Sequence, residues 1–144
     1  MEPTWKKGEM VEVNASAYRW AEPKRWDVVV FDPPAEAVPG VGGAKGMGAW
    51  AFRVVGLPGD TVEFDGPQML INGKPAQVPA RMSGVSYKAT TASGRPDGPN
   101  APKYPYVVPD DKYFVLGDNA DHANDSRLWG GLSRVRILGK VLGK

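Results

Sequence analysis

A mainly β domain is predicted, and three features of the sequence predict it. Short runs rich in Val, Ile, Phe and Tyr recur along the chain, each bounded by turn-forming residues. Eighteen glycines and fourteen prolines punctuate those runs without forming a repeat. Helical periodicity is scarce, so helices are not expected to carry the architecture.

Strands are expected near Glu9–Val13, Trp26–Phe31, Trp50–Val55, Thr61–Phe64 and Gln68–Ile71. Three more are expected near Tyr104–Val108, Tyr113–Leu116 and Val135–Val141. Asn72-Gly73, following one such run, is a two-residue hairpin signal. Leu57-Pro58-Gly59-Asp60 places Pro and Gly at the two central positions of a type II turn. Ala15–Ala21 suits one or two helical turns before Pro23 stops them. Two Gly/Pro-rich stretches, about 33–48 and 83–102, read as long loops, and loops of that length commonly serve function. Neither flank of these loops could bury a core alone, so 1–144 is expected to be one domain.

Composition narrows the function. A formal net charge of +2, with no Lys/Arg run longer than Lys6-Lys7, argues against a nucleic-acid partner. With no cysteine, thiolate nucleophiles, disulfides and zinc–sulfur sites are excluded. His122 is the single histidine, which rules out a multi-histidine metal site within one chain. No metal or other cofactor is expected. No stretch approaches the roughly 18 apolar residues of a bilayer span, and no signal peptide opens the sequence, so the chain as written is expected to be soluble.

The segment "YFVLGDNADHANDSRLWG", residues 113–130, runs an apolar strand into a loop dense in Asp and Asn. A calcium loop of EF-hand type fails there. Counted from Asp118, Ala120, His122 and Ala123 occupy the third, fifth and sixth positions, which should hold oxygen ligands and a glycine. A Ser-His-Asp triad through His122 and Asp125 lacks a serine in a nucleophile-elbow context. Upstream, Trp50, Phe52 and Val54 alternate onto one face, which ordinary core packing explains.

Three stretches then fall into a familiar order. "MEPTW", "FRVVGLPGDTVEF" and "GDNADHANDSRLWG" resemble the type I signal peptidases, membrane-anchored Ser/Lys endopeptidases that remove signal peptides. "WDVVVF", "INGKP" and "ILGKV" fill in between, so the resemblance covers nearly the whole chain apart from the two Gly/Pro loops. It implies a partly barrel-shaped antiparallel β domain on the exported face of the cytoplasmic membrane. Contact with the membrane itself would come only through an anchor upstream of these residues.

Carried over residue by residue, the resemblance implies a site without its chemical groups. The family's first motif, Ser-Met-x-Pro-Thr, matches from Met1 onward, which puts the nucleophile position before Met1. Its base, a lysine directly before the Arg of the second motif, is Phe52 here, ahead of Arg53. The serine that supports that lysine is Ala123, while Asp118, Asn119, Asp125, Ser126 and Arg127 match. These last, with Arg53, are expected to form a structural network in which Asp125 pairs with Arg127. The family's pocket walls correspond to Met1, Trp5, Val11, Val30, Trp50 and Ala51. The expected function is therefore a non-cleaving relative that binds an extended, signal-peptide-like segment. The alternative is a working endopeptidase with a serine before Met1 and an unorthodox base, either Lys45, His122 or a partner's lysine. Oligomeric state is not legible.

Overall fold

The computed structural model describes residues 1–38, 48–89 and 99–143. The fold is mainly β and antiparallel throughout, in two sheets that stay open. In the larger sheet, β1 (Val13–Asn14), β10 (Ile137–Val141), β2 (Val28–Phe31), β3 (Trp50–Gly56), β8 (Lys112–Leu116) and β9 (Leu132–Ser133) lie side by side in that order. The smaller sheet orders β6 (Lys74–Pro75), β5 (Gln68–Ile71), β4 (Thr61–Asp65) and β7 (Tyr106–Val107).

Turn chemistry sets the registers. Asn72 and Gly73 take φ of 54° and 77°, the left-handed pair that a tight β5–β6 hairpin needs. Gly59, at φ 82°, follows Pro58, and the Asp60 N–H donates to the Leu57 carbonyl at 3.0 Å, closing the predicted type II turn. At Gly56, β3 passes from one sheet's core to the other's through a bulge against β8. A Cβ there would lie 2.8 Å from the Phe114 Cβ and 3.0 Å from the Val62 Cγ2.

β8 explains why "YFVL" reads as an unbroken apolar run. Tyr113 and Val115 enter a core with Val29, Phe31, Val54, Trp129 and Leu132 on one face of the large sheet. Phe114 and Leu116 enter a second core on the other face, against Val62 and Met69 of the small sheet. A strand covered on both faces has no polar side to alternate with. A third cluster packs Trp5 against Val28 and Val141 and so docks the N-terminal segment.

Several expected elements shift. Of Glu9–Val13, only Val13 joins a strand, because β10 offers partners no further than Val141 and Lys140. Trp26 takes φ 75°, outside extended space, so β2 begins at Val28. Only Tyr106–Val107 pairs within the predicted strand 104–108. Arg134–Arg136 forms a 3₁₀ turn, so β10 begins at Ile137. Ala15–Ala21 folds into turns and bends, with Ala17 N–H to Asn14 O and Arg19 N–H to Ser16 O, in place of a helix. Most of the first predicted loop, 39–47, and part of the second, 90–98, lie outside the described residues.

Gly56→Ala should cost about 1–3 kcal/mol, the usual penalty for forcing an extra methyl into a packed core. The expected reading is a lower midpoint in urea unfolding.

Candidate functional site

β3 carries the site. Its alternation sends Trp50, Phe52 and Val54 toward one core, while Arg53 and Val55 face the other way. Arg53 is 1% exposed, and a guanidinium that deep must find acceptors. It finds Asp118, at the start of the 117–127 loop. Arg53 Nε donates to Asp118 Oδ1 at 2.9 Å and Nη2 to Oδ2 at 2.6 Å, a two-pronged ion pair. Nη1 donates to the Trp26 carbonyl at 3.0 Å. That contact sits on the residue held in left-handed backbone, a conformation costing on the order of 1–3 kcal/mol for a non-glycine.

Asp118 gathers two further donors. The Tyr87 hydroxyl donates to Oδ1 at 2.7 Å, and the Thr4 hydroxyl donates to Oδ2. Burial opposes the Arg53 charge, but the Asp118 carboxylate more than offsets it and raises the guanidinium's pKa. Burial, reinforced by the same carboxylate, pushes the Tyr87 phenol well up, so Tyr87 serves as a neutral donor. One buried pair thus joins the N-terminal segment, β3, the stretch around 87 and the polar loop.

The loop is braced a second time. Asp125 caps the single helical turn α1 (Ser126–Trp129) by accepting from the Arg127 N–H at 3.1 Å. Arg127 Nε and Nη2 reach the same carboxylate at 2.8 and 2.7 Å. Gly117 N–H donates to Asp125 Oδ2 at 3.1 Å, and Val115 N–H donates to Ser126 Oγ at 2.9 Å. Burial pushes the Asp125 carboxyl up, against the pull of Arg127 and two backbone donors. Arg127 also ties the loop to the Lys88 carbonyl at 3.0 Å.

Between the loop and the N-terminal segment lies a groove of about 490 Å³. Met1, Trp50, Ala51, Phe52, His122 and Ala123 line it, with Asn119 and Asn124 at its polar side. Phe52 and Ala123, matched from distant motifs, flank one spot. A Cβ on Gly117 would lie 2.5 Å from the Ala123 Cβ and 3.1 Å from Phe52 Cε1. The Phe52 ring packs on Phe31 and Trp50, with centroids 5.6 and 5.9 Å away. β8 pairs with β3 only from Arg53 onward, where Arg53 faces Leu116. Among the described residues, no strand accompanies Trp50–Phe52 on that side.

The six wall positions divide. Met1, Trp50 and Ala51 line the groove. Trp5 and Val30 sit behind, in the cluster that also packs Met1 and Ala51. Val11 does not join them: residues 6–12 run outside any strand, and Val11 is 39% exposed. Lys45 lies outside the described residues. The sequence does not pair Thr4 or Tyr87 with Asp118: Thr4 belongs to the MEPTW motif, whereas Tyr87 falls within the second predicted loop. No group of three or more His, Cys, Asp or Glu side chains suited to a metal occurs among the described residues.

The family model described as signal peptidase, peptidase S26, matches residues 1–143. Signal peptidase IB of Staphylococcus aureus is 34% identical over 145 residues, covering 98% of this chain and 70% of that protein. A probable signal peptidase I-2 of Synechocystis is 35% identical over 143 residues, 98% of this chain and 56% of its own length. Among solved structures, a signal peptidase I from Enterococcus faecalis superposes with a TM-score of 0.57 at 26% identity. That match covers 85% of this chain and 97% of that one.

Asp118→Asn should cost about 3–5 kcal/mol, because it leaves the Arg53 charge buried without its counterion. Combining it with Arg53→Met should cost less than the two single losses added together. A double-mutant cycle in denaturant reads the coupling directly.

Proposed function

The chain belongs to the signal peptidase family, peptidase S26, and from that premise we propose that this domain binds extended peptides without cleaving them. The observation that carries the reading is the packing of Phe52, which the family resemblance puts at the general-base position, into an aromatic cluster beside Ala123. A serine hydroxyl attacks poorly until a base takes its proton. A lysine acts as that base only when its pKa falls by several units from about 10.4. Phe52 has no lone pair to accept a proton.

Binding needs less than catalysis. The Trp50–Phe52 edge supports strand addition, in which main-chain hydrogen bonds supply affinity and side-chain pockets supply selection. Met1 and Ala51 on one side, with Trp50 and Phe52 on the other, favour a small apolar side chain between them. By family, the domain would work on the exported face of the cytoplasmic membrane. No helix among the described residues is long and apolar enough to cross a membrane.

One observation favours a second reading. His122 lines the same groove as Met1, so an imidazole could act as base toward a serine preceding Met1. That would make the domain a working endopeptidase.

Titration with a peptide containing Ala-x-Ala should quench or shift tryptophan emission saturably, while a scrambled peptide should not. Trp50→Phe should remove most of the signal, because Trp5 is buried behind the groove. Mass spectrometry of the mixture should find the peptide intact. Cleavage products that vanish in His122→Ala would establish the second reading. No saturable binding would sink the first.

A further inference from the structure

The groove does not end at Asn119. A second cavity, of about 340 Å³, opens beyond it. The same two segments form the banks of both. Residues 1–3 run along one side, with Met1 on the groove and Glu2 and Pro3 on the second cavity. Residues 117–124 run along the other, and Asn119 borders both cavities. What changes is the remaining wall. The apolar residues 50–52 give way to Gly84, Ser86 and Lys88.

The second cavity is polar and carries an excess of negative charge. Glu2, Asp118 and Asp121 contribute carboxylates, and Lys88 contributes one ammonium. Asp118 is already neutralised by Arg53. Lys88 Nζ reaches Asp121 Oδ1 at 2.6 Å, with both side chains nearly half exposed, and holds the Asp121 carboxyl below its usual range. Glu2, whose Oε1 accepts the Lys7 backbone N–H at 3.4 Å, has no cationic side chain opposite it in this cavity beyond Lys88. The wall is held in place from behind, since Arg127 fixes the Lys88 carbonyl and Tyr87 is tied to Asp118.

We propose that this cavity is a specificity subsite for the peptide segment flanking the apolar groove, where Glu2 and Asp121 select a cationic side chain over an anionic one. The proposal rests on the peptide-binding reading above. A peptide lying between the two banks passes from the apolar groove into the polar cavity, where a lysine or arginine meets two carboxylates against one ammonium. Because these groups are partly exposed, the selection is modest and salt-sensitive.

The test uses the whole chain and a set of peptides with a common Ala-x-Ala core. Each carries lysine, glutamate or norleucine on one flank or the other, and affinity is read by fluorescence anisotropy. On one of the two flanks, the lysine peptide should bind about fivefold tighter than the glutamate peptide at low salt, as one exposed ion pair allows. The ratio should shrink at about 0.5 M salt, where the Debye length falls to a few ångström. It should collapse toward one in the Glu2→Gln, Asp121→Asn double variant. Equal binding of all peptides, or a preference for glutamate, would overturn the subsite and leave the groove intact. So would a ratio that survives in the double variant. Failure of every peptide to bind would overturn the groove reading together with the subsite.

Discussion

The buried ion pair of Arg53 with Asp118 is the constraint on which the rest of the site depends. Neither group can stay charged at 1% and 0% side-chain exposure unless it meets the other. Their meeting fixes where β3 lies against the chain leaving β8. Once Asp118 is set, its remaining acceptor capacity takes Thr4 and Tyr87. The N-terminal segment and the stretch around 87 are thereby drawn to the same point. A pair of this kind adds little stability over an apolar replacement, because desolvation consumes most of the attraction. What it supplies is position. An apolar contact tolerates sliding by an ångström, whereas a two-pronged guanidinium–carboxylate geometry does not.

The same frame shows how Phe52 and Ala123 are accommodated at little physical cost. In an active relative, the lysine must sit in an apolar pocket with its charge suppressed, which costs stability. A phenylalanine in that place packs on Phe31 and Trp50 and carries no such cost. Ala123 presents only a methyl group, which suits the tight approach at Gly117. Neither side chain takes part in the hydrogen bonds that join Arg53 to Asp118 and Asp125 to Arg127. The buried charges that position the loop and the residues that wall the groove are therefore two separate sets.

Much of this was legible in the sequence, for identifiable reasons. Strands β3, β4, β5 and β8 are long enough for their pattern to stand out, and the turns at 57–60 and 72–73 carry backbone chemistry that few other residues satisfy. The two-residue strand β9 escaped because a pair of residues has no periodicity, and β7 was bounded too generously for the same reason. Helix α1 escaped for the same reason, although Asp125-Ser126 was a capping signal in plain view. Trp26 shows the limit of local reasoning. Nothing in its neighbours predicts positive φ, and what holds it there is a hydrogen bond from Arg53, 27 residues away. At the site, the asparagine- and aspartate-rich loop announced polar packing, but only the tertiary structure selects which carboxylate meets which arginine. Arg127 could have paired with Asp121 or Asp118. It takes Asp125 because α1 turns its side chain back onto its own cap.

The aromatic ring of Phe52 does not plug the groove, and the packing shows why. Phe52 leans along the sheet toward Phe31 and Trp50, so it forms wall and leaves the space in front of it open. Beyond Arg53 the edge of β3 is covered by β8, but beside Trp50–Phe52 β8 has already given way to the loop at Gly117. Two residues past the last ladder pair, Asp118 meets Arg53, so the ion pair closes the β3–β8 contact at the point where the ladder stops. The open strand edge therefore begins beside the buried ion pair. The groove is lined by that edge and by the loop the ion pair anchors, so its shape depends on Arg53 and Asp118 as much as on the residues of its walls.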